Sequence, residues 1–423
     1  MPEVHQRKFS KNYLPRTFSA FEYRSFRFLW PGTLVGFTCR WMQIFLVSFL
    51  VWELTDSAWL VALVGFFSWG PMIPFGMLGG VLADTSNRKK ILVIVAFINF
   101  LACVVFSVSL MFDVVNVWHA YTVVMVSGIG WALDMPSRRS LLLDMLGNSG
   151  VTNGLALDAL GLSVSTMIGP ILAGFLISLV DVTGSFLVVS GLYIISAFLL
   201  FNIGIPQKYR KLQSGTAIIG TAFEGISYVL KHPVLRILAI ITILMNVLLF
   251  TYMPLVPVIA IDVLHVGPAY LGLLSGAPGF GSIIGNLLLA SRPNFRHHAI
   301  LVLSGGMIAM IGLFMFSVSS WYIISFVALF TLGVGVSCFG PGQFTLYMLL
   351  SEENIRGKVL GVVSLAIGTN PLGSLWLAKM TESFSPSIAL GINSSIGIIC
   401  IFVIAVTLPI LRLPTEDLRH LMK

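Results

Sequence analysis

Residues 128–145 read GIGWALDMPSRRSLLLDM, and residues 333–350 read GVGVSCFGPGQFTLYMLL. The spacing G-x-G-x5-P recurs 205 positions apart, so that Pro136 answers Pro341. Each copy closes a long apolar run. These runs are the fourth and the tenth of twelve, at roughly 28–52, 58–83, 91–112, 117–136, 152–180, 184–204, 234–261, 269–290, 299–317, 321–348, 358–378 and 387–411. Continuous apolar runs near 20 residues suit helices crossing a ~30 Å hydrocarbon core, whereas barrel strands alternate over about 10 residues. The spacing therefore predicts an all-α membrane protein of twelve transmembrane helices in two pseudo-symmetric six-helix halves. The halves are 1–204 and 234–423, joined by a linker at 205–233. Parallel repeats of this kind place a substrate site near the midplane and let the halves rock. A channel, receptor or membrane enzyme does not require them.

Composition agrees. Apolar residues make up 57% of the 423 residues and charged residues 10%, against about 25% charged in a soluble domain. The mean hydropathy is +0.95. A soluble protein of this length could not cover its surface with so few charges. Residues 1–26 are polar and basic, and the run after them is read as an uncleaved first helix.

With twelve spans, 23 of the 25 lysines and arginines fall on the side that holds both termini. The opposite loops carry Glu53, Asp56, Asp113, Asp181, Asp262 and Glu382. The positive-inside rule makes both termini cytoplasmic. The net charge of +8 follows from this topology and does not call for a nucleic-acid partner. Within the linker, Ile218, Ile219, Ala222, Phe223, Ile226, Val229 and Leu230 share one helical face, as in a helix lying on the inner leaflet.

The four cysteines, Cys39, Cys103, Cys338 and Cys400, each lie inside an apolar run, without CxxC or Cys/His grouping. They read as small buried hydrophobes. No HExxH and no paired mid-membrane acids occur, and no histidine is mid-span. Neither a metal, a cofactor nor enzyme chemistry is expected.

The stretch GGVLADTSNRKK, residues 79–90, resembles the loop between the second and third helices of the major facilitator superfamily, G-x-L-A-D-R-x-G-R-[RK], through Gly80, Leu82, Ala83, Asp84, Arg88 and Lys89. Thr85 replaces a cation of that pattern. Asn87 replaces a glycine, and Asn tolerates the left-handed conformation better than most residues. WMQ at 41–43, LTDSAWLVALVGF at 54–66, ALDMPSRRSLL, NGLAL, EGISYVLKHPVLR, IDVLHVGPAYLGLL and IRGKVLGVVSL are similar to the enterobactin-exporter-like and drug-efflux branch. In these exporters the fifth helix carries G-x8-G-x3-G-P-x2-G-G. Here the positions are Ala156, Ser165, Gly169, Pro170, Ala173 and Gly174, all small enough for a close helix seam. The resemblance implies that Gly80, Asp84, Arg88 and Lys89 form a cytoplasmic gate motif, with Asp84 meeting the start of the eleventh helix near Gly357 to Val359.

Arg40 lies ~18 Å into the first span at 1.5 Å per residue. A cation at that depth costs ~2.5–3.5 kcal/mol, so a partner or a wet cavity is expected. The related branch carries an arginine at the position of Thr166, and Arg40 reads as that cation moved to a neighbouring helix. Asp158 is either a proton carrier or a salt-bridge partner of a cation, Arg40 among them. Asp134, Arg138, Arg139 and Asp144 border the fourth span and are expected to form one cytoplasmic charge cluster with Asp84 and Arg88. By the resemblance, the first, fourth, seventh and tenth helices line the substrate cavity, which offers Gln43, Trp131, Asn246, Tyr252 and Gln343.

The expected function is export of a small, amphipathic or hydrophobic molecule by a monomeric, proton-coupled transporter in a bacterial inner membrane. An importer or a lysolipid flippase of the same fold is the alternative, and a non-transporting membrane scaffold or sensor is a further one.

Overall fold

The computed structural model describes residues 16–204, 224–291, 297–352 and 355–421. Every regular element among them is helical. The long helices are α1 (Phe26–Thr55), α2 (Ala58–Trp69 and Met72–Thr85) and α3 (Arg88–Met111). Next, Val117–Phe201 is interrupted at Gly147 and again at Val180 and Asp181, giving α4 (117–146), α5 (148–179) and α6 (182–201). There follow α7 (Pro233–Leu248 and Val256–Asp262), α8 (Pro268–Ala290), α9 (His298–Val318), α10 (Tyr322–Leu350), α11 (Arg356–Ile367 and Asn370–Ser383) and α12 (Pro386–Thr407). The fold is that of twelve long helices.

Local chemistry sets the breaks. Gly147 turns α4 into α5 at φ 66°, a conformation open to glycine at little cost. Asp181 starts α6 by accepting the Gly184 N–H at 2.8 Å, which satisfies one orphan donor of the first turn. Pro71 and Pro371 lack the N–H that would continue their helices, and α2 and α11 break beside them. Asn87 is extended (φ −70°, ψ 102°), and its side chain accepts from the Lys90 N–H. The left-handed turn expected at Asn87 is thus replaced by an N-cap of α3, the other role to which its short amide side chain is suited.

Contacts among the described residues divide the chain into two units, bounded as Met1–Leu50 with Pro71–Leu212, and Val51–Gly70 with Gln213–Lys423. The first half of α2, placed by sequence in the N-terminal half, packs on the second half of α11. A Cβ at Gly65 would sit 2.7 Å from Ser374 Oγ.

The repeat is visible in how each unit packs. In the first unit, a methyl at Gly79 would overlap the Ala132 carbonyl oxygen, closing α2 on α4. In the second, Gly285 meets the Ser337 side chain, closing α8 on α10. Gly130 lies against Val95 and Asn99 of α3, and Gly335 against Gly305 and Ala309 of α9. Gly169 of α5 lies against Thr38, Trp41 and Met42, while Gly373 of α11 lies against Val247 of α7. Each pair of glycines is about 205 positions apart. Small residues let backbones approach where no hydrophobic force drives helices together in lipid.

Gly79 and Gly80 differ sharply, since a Cβ at Gly80 meets nothing within 4 Å. Gly79→Ala should cost about 1–3 kcal/mol by overpacking. Gly80→Ala should be neutral, or stabilising by up to about 1 kcal/mol through helix propensity. Thermal unfolding of the two purified variants checks this, and equal shifts would refute a close approach at Gly79.

The described end of the linker is helical at 224–231. It rests on the start of α11: Glu224 pairs with Lys358, and a Cβ at Gly225 would sit 2.6 Å from the Lys358 carbonyl oxygen. Val229 is buried and Ile226 half-buried, but Leu230 is exposed. The rest of the expected amphipathic face, from Ile218 to Phe223, lies outside the described residues.

Candidate functional site

The first unit holds a buried ionic cluster. Arg40 stands near the middle of α1, and Arg138 is one helical turn beyond Asp134 on α4. Both guanidinium groups are almost wholly buried. Arg138 donates from Nε to Asp134 Oδ1 at 2.8 Å and also pairs with Asp158 of α5. Its guanidinium lies 4.4 Å from the centroid of Phe37. Phe37 packs against Trp131 with centroids 5.2 Å apart, and Arg40 lies 5.0 Å from the centroid of Trp131. The order Arg138–Phe37–Trp131–Arg40 thus sets two packed rings between two cations. Such contacts are worth ~2 kcal/mol or more when desolvated. Arg40 also donates from Nη1 to Ser127 Oγ at 3.2 Å, and the Asp134 charge acts on both arginines.

A cavity of about 50 Å³ opens beside Arg40 and Asp134, bordered also by Asn99, Ser127, Trp131 and Tyr193. At ~30 Å³ per water in the liquid, it has room for one or two. The amide oxygen of Asn99 is buried there with no hydrogen-bond partner among the described residues.

The charges expected as one cluster separate into two. Asp134, Arg138 and Asp158 form the deep group. Arg88 pairs instead with Asp144 and donates from Nε to the Ala83 carbonyl at 2.6 Å. Arg139 is exposed. The cationic partner of Asp158 is therefore Arg138 rather than Arg40, because α4 presents Arg138 toward α5 while Arg40 turns to Trp131. Lys89 lies 5.1 Å from the centroid of Phe201. The side chain of Asp84 lies outside the described residues, as does its expected meeting with α11.

The exporter-like pattern on α5 forms the seam with α1. Ser165, Gly169, Pro170, Ala173 and Gly174 are buried, whereas Ala156 is exposed. Ser165 Oγ donates to the Leu34 carbonyl at 3.1 Å and accepts from Thr38 Oγ1 at 3.2 Å. The helices carrying Arg40 and Thr166 therefore face each other.

Of the five cavity candidates, only Trp131 borders the cavity just described. Gln43 is fully buried, and its amide is engaged within the first unit: Nε2 donates to Cys103 Sγ at 2.9 Å, and Oε1 accepts from Tyr193 at 2.6 Å. In the second unit, Gln343 Oε1 accepts from Thr242 at 2.8 Å, and Asn246 donates to the Thr242 carbonyl at 2.9 Å. Tyr252 is buried as well. Sequence reasoning missed Phe37, Asn99, Ser127 and Tyr193. Asn99 had left a signal, as the only amide in the apolar run of α3 after Lys90.

The repeat shows what the scaffold requires. Carrying the glycine offsets onto the cluster sets Met245 opposite Arg40, Phe339 opposite Asp134, Gln343 opposite Arg138 and Val362 opposite Asp158. The same helix approaches form in the second unit with no ionisable group at these four places.

Relatives agree with this architecture. Macrolide efflux protein A of Streptococcus pyogenes is 23% identical over 355 residues, covering 81% of this chain and 84% of that protein. Enterobactin exporter EntS of Shigella flexneri is 23% identical over 341 residues, covering 79% and 80%. The crystal structure of the nucleoside transporter NupG superposes with a TM-score of 0.71 at 15% identity, covering 91% of this chain and 100% of that one. The Transmembrane secretion effector model matches residues 16–422, and the chain therefore belongs to that family of the major facilitator superfamily.

Proposed function

We propose that this protein exports a small, amphipathic or hydrophobic molecule from a bacterial cell. It works in the inner membrane as a monomer, by proton-coupled alternating access, with both termini in the cytoplasm. The observation that carries this reading is the asymmetry of the repeat. One unit keeps two buried arginines and two largely buried aspartates among its helices, and ionisable groups within membrane segments are costly enough to be rare. The other builds the same helix packing with Met245, Phe339, Gln343 and Val362 in their places. Charges that packing does not require are retained for a process that moves charge. The names of the macrolide and enterobactin relatives support the outward direction, and the distribution of lysine and arginine supports the orientation.

Inverted membrane vesicles test it, with a macrolide, a siderophore and a lipophilic dye as probes. Uptake into inverted vesicles should require an imposed pH gradient and collapse on adding a protonophore. Uptake confined to right-side-out vesicles would make the protein an importer, and uptake indifferent to the gradient would remove the proton from the mechanism.

A further inference from the structure

We propose that Asp134, rather than Asp158, is the carboxyl that binds and releases the proton, at the cavity it shares with Arg40 and Asn99. The inference rests on the proton-coupled reading above and names the group within it. Access is the first reason. The proton must come from and return to water, and Asp134 borders the cavity while Asp158 does not. Arg138 pairs with both carboxylates, so it is the cavity and not the pairing that sets Asp134 apart.

The second reason is the Asn99 amide oxygen, buried at the same cavity with no donor among the described residues. A carboxylate is acceptor-only and cannot serve it, whereas a protonated carboxyl or a water carries the O–H it lacks. A buried acceptor left unmade costs ~1–3 kcal/mol, so the cavity favours a donor arriving there. The third reason is charge. Asp134 is faced by Arg138 on its own helix, Arg40 from α1 and Asp158 from α5, while the Tyr193 hydroxyl of α6, at the same cavity, donates to Gln43. The stretch of α2 against α4, residues 72–83, has no ionisable side chain, and α3 contributes the neutral Asn99.

Two cations and two carboxylates balance. A proton from cavity water converts the Asp134 carboxylate to a carboxyl, and the same oxygen gives the proton back to water. While the proton is bound, Asp158 still balances Arg138. The change is felt on Arg40's side of the cavity, against Trp131, at the centre of the unit. No counterpart exists in the second unit, where Phe339 takes the place of Asp134.

Infrared spectroscopy of the full-length protein in lipid nanodiscs, titrated with pH and without substrate, tests the assignment. Above about pH 6, where ordinary Asp and Glu side chains (~3.9 and ~4.3) stay ionised, a protonated-carboxyl band should appear as pH falls in the wild type and in Asp158→Asn, and be missing in Asp134→Asn. Should Asp134→Asn fail to fold, Asp134→Glu decides instead. The band should change frequency there, because Asp and Glu carboxyls absorb differently, and should keep its frequency in Asp158→Glu. A band that survives Asp134→Asn, that moves only in the Asp158 variants, or that is absent from the wild type would overturn the proposal. A titrating Asp134 in a protein whose transport ignores the pH gradient would keep the site and remove the coupling. Gradient-driven transport with no change of band in the Asp134 variants would do the reverse.

Discussion

Arg138→Leu should abolish transport and cost about 3–5 kcal/mol of stability, the usual penalty for removing one partner of a buried ionic group. Arg138 is the only cation in contact with both deep carboxylates among the described residues, Asp134 at 2.8 Å and Asp158 beside it. Without it, two like charges face each other in a low-dielectric bundle. Its stacking on Phe37 is lost as well. The second unit supplies a control. Installing its residues at three of the places and leucine at the fourth, as Arg40→Met, Asp134→Phe, Arg138→Leu and Asp158→Val, removes every charge of the group at once. Replacing a whole buried ionic group with apolar residues is often neutral or stabilising. The quadruple variant should therefore recover most of the stability that Arg138→Leu loses and still not transport. Thermal unfolding in detergent and vesicle uptake read the two properties separately. A single variant that melts like the wild type would show that the cluster carries no structural weight. A quadruple variant that transports would show that it carries no functional weight either.

The spans were legible in the sequence because a bilayer demands continuous apolar runs, and hydropathy reports that demand directly. The ends of the helices were not. The apolar pattern of the fourth run stops near Pro136, yet α4 continues to residue 146. Hydrogen bonding along a helix does not need apolar side chains. The breaks were only half legible. Pro71 and Pro371 mark real interruptions, but Pro136, Pro170, Pro278 and Pro341 sit inside helices that continue past them. Neighbouring helices decide which prolines matter. Asp134 and Arg138 are four apart, so their pairing could be read from spacing alone. Asp158 joins them only through the packing of α5 on α4, which no local pattern carries.

The repeat makes one further prediction, on which glycines tolerate a methyl group. Gly281→Ala and Gly333→Ala should each destabilise by about 1–3 kcal/mol, while Gly340→Ala should be neutral or stabilise by up to about 1 kcal/mol. A Cβ at Gly281 would overlap the Phe330 carbonyl oxygen of α10, and one at Gly333 would overlap the Pro278 carbonyl oxygen of α8. Backbone cannot rotate aside as a flexible side chain can, so each methyl must push the two helices apart. Gly340 lies on the same helix as Gly333 with nothing within 4 Å of its Cβ position. There the methyl only narrows the unfolded ensemble. Because one separation relieves both overlaps, Gly281→Ala with Gly333→Ala should cost clearly less than the sum of the single changes. Unfolding midpoints of the four variants measure this. Full additivity would mean that the two glycines do not share one helix contact. A costly Gly340→Ala would mean that α10 is crowded on every side, leaving no reason for the glycines to recur at matched places in both units.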